Sequence, residues 1–116
     1  MSKLNKKLPA WFYSTPSGRE PVREWLLGLD DESRLSIGKD IATVEWGWPV
    51  GMPVARKLGD DLYDVRSNIS SGRIARVIFV PHAGKMMLLH GFVKKTQKTS
   101  KSDLSLAKNR AKEITS

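Results

Sequence analysis

The sequence predicts an α+β fold: an N-terminal strand and a helical hairpin, then a largely antiparallel sheet written as a β-meander, and a C-terminal helix. Three observations carry this. Leu62 to Thr99 reads LYDVRSNISSGRIARVIFVPHAGKMMLLHGFVKKTQKT, strand-like runs punctuated by Ser70-Ser71-Gly72 and Pro81-His82-Ala83-Gly84. Residues 21–47 switch to the three-to-four spacing of amphipathic helices. The tail from Ser100 returns to that spacing.

Each element has its own signal. Residues 1–8 are polar and basic, so a frayed end is expected. Pro9 to Ser14 is aromatic-rich, with Trp11 and Tyr13 on one face of a first strand, and Thr15 to Gly18 make a turn. Pro21 suits the first position of a helix whose stripe is Val22, Trp25, Leu26 and Leu29. Asp30 and Asp31 offer a cap for a second helix with Ile37, Ile41 and Val44 inward, and Gly47 is a natural stop. Trp46 to Pro53 holds two prolines and two glycines and is irregular, and Trp48 within it is the tryptophan to test for base stacking. Val54 to Leu58 reads as a short edge strand or a loop. Lys85 to Val93 is apolar on both faces, which marks a central strand. Ser100 with Asp103 forms a capping-box-like start to the last helix, and Leu104, Ala107, Ala111 and Ile114 are its stripe.

At 116 residues the chain is expected to be one domain, 1–116. It has no cysteine, which removes disulfides and thiolate metal sites. The basic N-terminus lacks the apolar core of a secretory signal, and no apolar run approaches a membrane span, so the cytoplasm is the expected compartment. Charge is the informative quantity. Residues 1–64 hold 9 Lys/Arg and 10 Asp/Glu, whereas residues 65–116 hold 11 and 2. One half of the molecule therefore carries the whole positive field, and nucleic acid is the first partner to consider.

The two histidines, His82 and His90, lack a third ligand for zinc, and no phosphate-binding glycine fingerprint or nucleophile elbow is present. Asp60, Asp61 and Asp64 are ordinary as turn aspartates and a solvent-facing strand residue, or else a Mg²⁺ set. Arg66 and Arg76 lie on adjacent strands and can meet on one face, with Lys94, Lys95 and Lys98 following the central strand. Arginine forks grip non-bridging phosphate oxygens, and an RNA brings its own 2′-hydroxyl nucleophile, so such a cluster can break a phosphodiester without metal. A solvated basic rim accounts for the same composition. His90 reads as a structural histidine in a central strand, or as a proton carrier. Gly91 beside it admits a close approach or marks a strand irregularity.

Three phrases then resemble a known group: Leu62-Tyr63-Asp64-Val65-Arg66, Arg76 opening the run Val77-Ile78-Phe79, and HGFVKKTQKT from His90 to Thr99, followed by a basic alanine-containing helix. With them the chain resembles the RelE/HigB superfamily of bacterial toxins, in particular its phage-derived HigB-like branch, over about the last 60 residues. The resemblance implies a RelE-like domain, the toxin of a type II toxin–antitoxin pair. It implies an mRNA interferase that cuts messages on the ribosome, needing neither metal nor cofactor, and a cognate helix-turn-helix antitoxin joining it in a hetero-oligomer. The family's catalytic arginines map onto Arg66 and Arg76, and the basic position after the final strand onto Lys94 or Lys95. Lys95, Lys98 and His90 are the candidates for proton transfer, while Arg73, Lys94, Gln97, Lys98 and Lys101 are expected to bind RNA. The chain departs from the pattern in having Asp64 where a cation is allowed, no tyrosine after Tyr63, and the ending AKEITS. Two other functions fit the same residues: a non-catalytic basic RNA- or ribosome-binding module, such as a silenced phage relic, and a toxin acting on gyrase.

Overall fold

The computed structural model describes residues 6–51, 53–94 and 99–115. Its elements are β1 (Ala10–Phe12), α1 (Pro21–Leu27), α2 (Asp31–Gly47), β2 (Ala55–Gly59), β3 (Leu62–Asn68), β4 (Ile74–His82), β5 (Lys85–Lys94) and α3 (Lys101–Thr115). A 3₁₀ turn at Ser70–Gly72 joins β3 to β4. The five strands form one mixed sheet in the order β1-β5-β4-β3-β2. β1 runs parallel to β5 and every other pair is antiparallel, giving the expected α+β fold with a C-terminal helix. β2 is an edge strand, which settles the reading left open for that stretch. β5 is central, as its two-sided apolarity requires.

The helical hairpin is closed by its caps. Pro21 opens α1, which ends at Leu27, two residues before the expected Leu29, where the Gly28 and Leu29 amides bond three residues back, to Trp25 and Leu26 (3.2 and 3.1 Å). Asp30 caps α2 by accepting from the Ser33 amide and hydroxyl (3.1 and 2.7 Å). Those bonds from Ser33, with a further one from Ser70, hold the Asp30 carboxyl below the usual aspartate range.

The sheet has two different faces. On the first, Val65, Ala75, Val77, Phe79, Met86 and Leu88 pack against Val22 of α1 and Ile37, Ile41 and Val44 of α2. Trp48 meets Tyr63 and Phe79 edge-on (centroids 4.9 and 5.6 Å apart), so it belongs to this core rather than to a base-stacking platform. On the second face, Leu62, Ile78, Val80 and Leu89 pack with Tyr13 beneath the α3 stripe of Leu104, Ala107, Ala111 and Ile114. Arg110 donates to the Leu89 carbonyl (2.8 Å) and Tyr13 to Glu113 (2.9 Å), which pins the helix in register.

A bulge in β5 governs which residues reach which face. Ile78 pairs with His90 and Phe79 with Leu88, leaving Leu89 without a partner residue. One extra residue inverts the alternation of everything after it. Met86 and Leu88 before it, and Gly91 and Val93 after it, therefore share the hairpin face. His90, Phe92 and Lys94 take the other. Gly91 is required there: a Cβ would lie 2.3 Å from Cε3 of Trp25. What approaches closely is an indole ring of α1.

Two local expectations need correction. Residues 6–8, read as part of a frayed end, are held: Leu8 is buried, its amide donates to the Glu45 carbonyl (2.9 Å), and Lys6 pairs with Glu45 (3.1 Å). Pro81 and His82 belong to β4, not to the turn, which is Ala83-Gly84 with both φ positive (52° and 76°). Proline is tolerated because β4 there has run past its paired stretch with β3.

Candidate functional site

The strand registers set the second face out as rows running across the sheet. The first is Arg56, Asp64, Ile78 and His90; the next is Arg66, Arg76 and Phe92; the last is Asn68, Ile74 and Lys94. Successive rows are two residues apart along each strand, about 7 Å. The face is thus apolar where α3 covers it and charged beyond the start of that helix.

Asp64 sits at the centre. It is fully buried, and its Oδ2 accepts from Arg56 (2.9 Å) and from Arg76 (3.2 Å). The reading of Asp64 as a solvent-facing strand residue is therefore overturned. Arg76, expected on an open cationic face, is only 1% exposed. An arginine can be buried so deeply only with a counter-charge, which Asp64 supplies. Arg66, opposite Arg76, is half-buried, and its guanidinium has no hydrogen bond or ion pair among the described residues. Two arginines paired across strands repel each other unless an anion lies between or above them.

A second cluster lies at the β5 end. His90 Nε2 meets Asp103 Oδ1 of α3 at 2.7 Å, and the ring stacks on Phe92 (centroids 5.4 Å apart). The carboxylate has no proton to give, so the imidazole carries it on Nε2. Asp103 Oδ2 accepts from the Ser100 hydroxyl (2.6 Å) and lies 3.5 Å from Lys94 Nζ. Burial alone would raise the Asp103 carboxyl. The bonds from Ser100 and His90, with the charge of Lys94, outweigh it and hold the group below the usual aspartate range.

Four of the expected site residues, Arg66, Arg76, His90 and Lys94, are thus brought together on one face. Arg73 is placed elsewhere: its guanidinium donates to the Ser70 carbonyl and hydroxyl (3.0 and 2.9 Å) and lies 3.5 Å from Asp30, bracing the β3–β4 connection against the α2 cap. Lys101 is exposed at the first position of α3. Lys95, Gln97 and Lys98 lie outside the described residues. The acids weighed for a metal point to different partners, Asp60 to Lys108 (3.1 Å) and Asp64 to its arginines.

Sequence reasoning missed Arg56 and Asp103 as parts of this face. One signal existed: Arg56 and Asp64 flank the Gly59-Asp60-Asp61 turn with opposite charges, as a cross-strand pair does. Among the described residues, the acids that pair with Arg56, Arg76 and Lys94 on this face are Asp64 and Asp103, with Arg66 beside them. The surplus among the described residues is positive. A positive surplus that includes guanidinium groups has the chemistry to bind an anion.

The sequence model of a family described as phage derived protein Gp49-like (DUF891) matches residues 24–112, from the middle of α1 into the last turns of α3. No curated protein matches the chain.

Proposed function

Because the chain belongs to the phage-derived Gp49-like family, a RelE/HigB-like toxin family, we propose that it is the toxin of a type II toxin–antitoxin pair and acts as a ribosome-dependent mRNA endonuclease of the HigB-like branch. The observation that carries the reading is the surplus of cations on one sheet face, with Arg66 and Arg76 directly opposed and a single carboxylate between Arg76 and Arg56. That arrangement supports a phosphodiester as ligand: half-buried Arg66 can grip a phosphate, while buried Arg76 adds its charge from beneath.

The reaction needs no group beyond the substrate and the chain. The ribose 2′-oxygen attacks the adjacent phosphorus in line, and the bond from phosphorus to the 5′-oxygen breaks, leaving a cyclic phosphate and a 5′-hydroxyl. One proton leaves the 2′-hydroxyl and one reaches the departing oxygen. Arg66 and Arg76 oppose the charge that grows on the phosphorane. In this reading His90, oriented by Asp103, carries a proton, and Lys95 supplies further charge or a second proton carrier. Lys94, Gln97, Lys98 and Lys101 hold the flanking message, while Arg73, engaged by Ser70 and Asp30, takes no part. A helix-turn-helix antitoxin is the cognate partner, masking this face in a hetero-oligomer. No helix among the described residues is long and apolar enough to cross a membrane, and the ribosome places the activity in the cytoplasm.

The test is brief induction in bacteria followed by mapping of message 5′ ends. Cuts within translated codons, absent when initiation is blocked and absent for Arg66→Ala, are the expected result. Arg66 is the better probe than Arg76, whose loss strands a buried carboxylate and confuses folding with function. Growth arrest with intact messages points instead to another target such as gyrase. Soluble protein with neither arrest nor cuts leaves a binding module or a silenced toxin.

A further inference from the structure

We propose that Arg56, on the outermost strand, is a phosphate-binding residue of the same face, held for that task by Asp64 and Thr99, so that single-stranded RNA crosses the sheet from β2 toward β5. The inference rests on the reading of this face as an RNA surface and extends it to a strand that reading does not use.

The register puts Arg56 directly across from Asp64 and on the face of Arg66 and His90. Arg56 and Arg76 share one carboxylate through one of its oxygens, Oδ2, while Oδ1 is buried with no partner among the described residues. One negative charge cannot neutralise two guanidiniums, so the group of three keeps a net positive charge. Burial assigns the roles within it. The Arg76 side chain is 2% exposed and needs the carboxylate to be there at all, whereas Arg56 is 31% exposed and is the member that meets solvent. Arg56 is also held by a second partner, since the same Nη2 that meets Asp64 donates to the Thr99 hydroxyl (3.2 Å) at the entrance to α3. A guanidinium pinned at two points loses little further freedom on gripping a phosphate, which favours binding. Asp64 is then a positioning residue for both arginines. The neighbouring Lys57 pairs with Tyr63 on the opposite side of β2 and is exposed, so it carries the same charge one residue away and off the track.

The experiment measures binding of a short 2′-O-methyl oligoribonucleotide, which cannot be cut, by fluorescence anisotropy across a range of salt. Arg56→Ala, Arg56→Gln, Lys57→Ala and Arg66→Ala are compared with the wild-type chain, each shown folded by thermal melting. Gln keeps a hydrogen bond toward Asp64 and Thr99 while removing the charge, so the test survives if Arg56→Ala does not fold. The expected result is a several-fold loss of affinity for the Arg56 variants and a fall of about 0.7 in the slope of log affinity against log salt, the release of one counterion from a single strand. Lys57→Ala leaves both unchanged. The proposal is overturned if the Arg56 and Lys57 variants behave alike, or if Arg56→Gln keeps the wild-type slope. Should Arg66→Ala also keep it, the RNA surface itself is overturned; if only the Arg56 variants do, the surface stands and its path excludes β2.

Discussion

The two faces of the sheet are written by the same strands and do opposite things. In β4, Ala75, Val77 and Phe79 look toward α1 and α2 and are all buried among aliphatic and aromatic side chains. Their neighbours Arg76 and Ile78 look the other way, and one of the two is an arginine. The hairpin face is closed along its length by two helices. The opposite face is covered by one helix at one end, and the remainder is a lattice of Arg, Asp, His and Lys held by hydrogen bonds. Alternation allows this division: a strand can commit one face to stability and spend the other on a charge arrangement that stability alone would not select. Buried ion pairs are weak stabilisers compared with apolar residues of similar volume, so the Asp64 group argues for function more than for folding.

The largest test of that contrast removes the centre of the closed face. Phe79→Ala is expected to cost about 3–5 kcal/mol, from lost transfer energy and the cavity left under Trp48 and Tyr63. Urea unfolding at 25 °C measures it. On the open face Asp64→Asn follows at about 3 kcal/mol, because Arg76 stays buried without its counter-charge. The double variant Asp64→Leu/Arg76→Met is expected to regain most of that loss while binding no RNA. A double variant as unstable as Asp64→Asn would show that the pair is structural after all. Gly91→Ala belongs to the closed face although its neighbour His90 belongs to the open one. It is expected to cost about 1–3 kcal/mol through the clash with Trp25, and less when Trp25 is also replaced by leucine. Arg66→Ala should change stability by no more than about 0.5 kcal/mol, in either direction, since it also removes a like-charge pair, yet it should abolish message cleavage.

The closed face was legible in the sequence and the open one only in part, for a physical reason. Helical stripes such as Val22-Trp25-Leu26 and Ile37-Ile41-Val44 report their own burial, and turn residues such as Ser70-Ser71-Gly72 report the chain reversal. Charge surplus, too, is a property of sequence, so Arg66 and Lys94 could be assigned to a cationic face. Register is not local. The bulge at Leu89 inverts the phase of β5, and strict alternation from Met86 and Leu88 would have put His90 in the hairpin core. Asp64 was misplaced for a related reason: its partner Arg56 lies across a turn, and only the pairing of β2 with β3 shows that the carboxylate faces two arginines and no solvent. The glycine at position 91 gave the constraint, but the group it admits, Trp25, lies 66 positions earlier in the chain.

The smallest expected effect concerns the junction where the open face meets its one helix. Asp103 joins α3 to β5 through His90 and is held below the ordinary aspartate range by Ser100, His90 and Lys94 against the opposing pull of burial. A carboxyl with a depressed folded-state value binds fewer protons folded than unfolded. Its contribution is therefore fully present above the unfolded value and is lost as pH falls through that value to the lower folded one. Thermal unfolding of the wild-type chain and of Asp103→Asn, followed from neutral pH into acid, should show the wild type ahead at neutral pH and the gap closing below the usual aspartate range. Taking the difference between the two cancels the similar behaviour of Asp30 at the α2 cap. Amide exchange in α3 should follow the same closing gap, because Asp103 acts on that helix and not on the hairpin side. A gap that stays constant with pH would mean that the apolar stripe alone docks α3, and that the open face sets its charges without help from the helix that borders it.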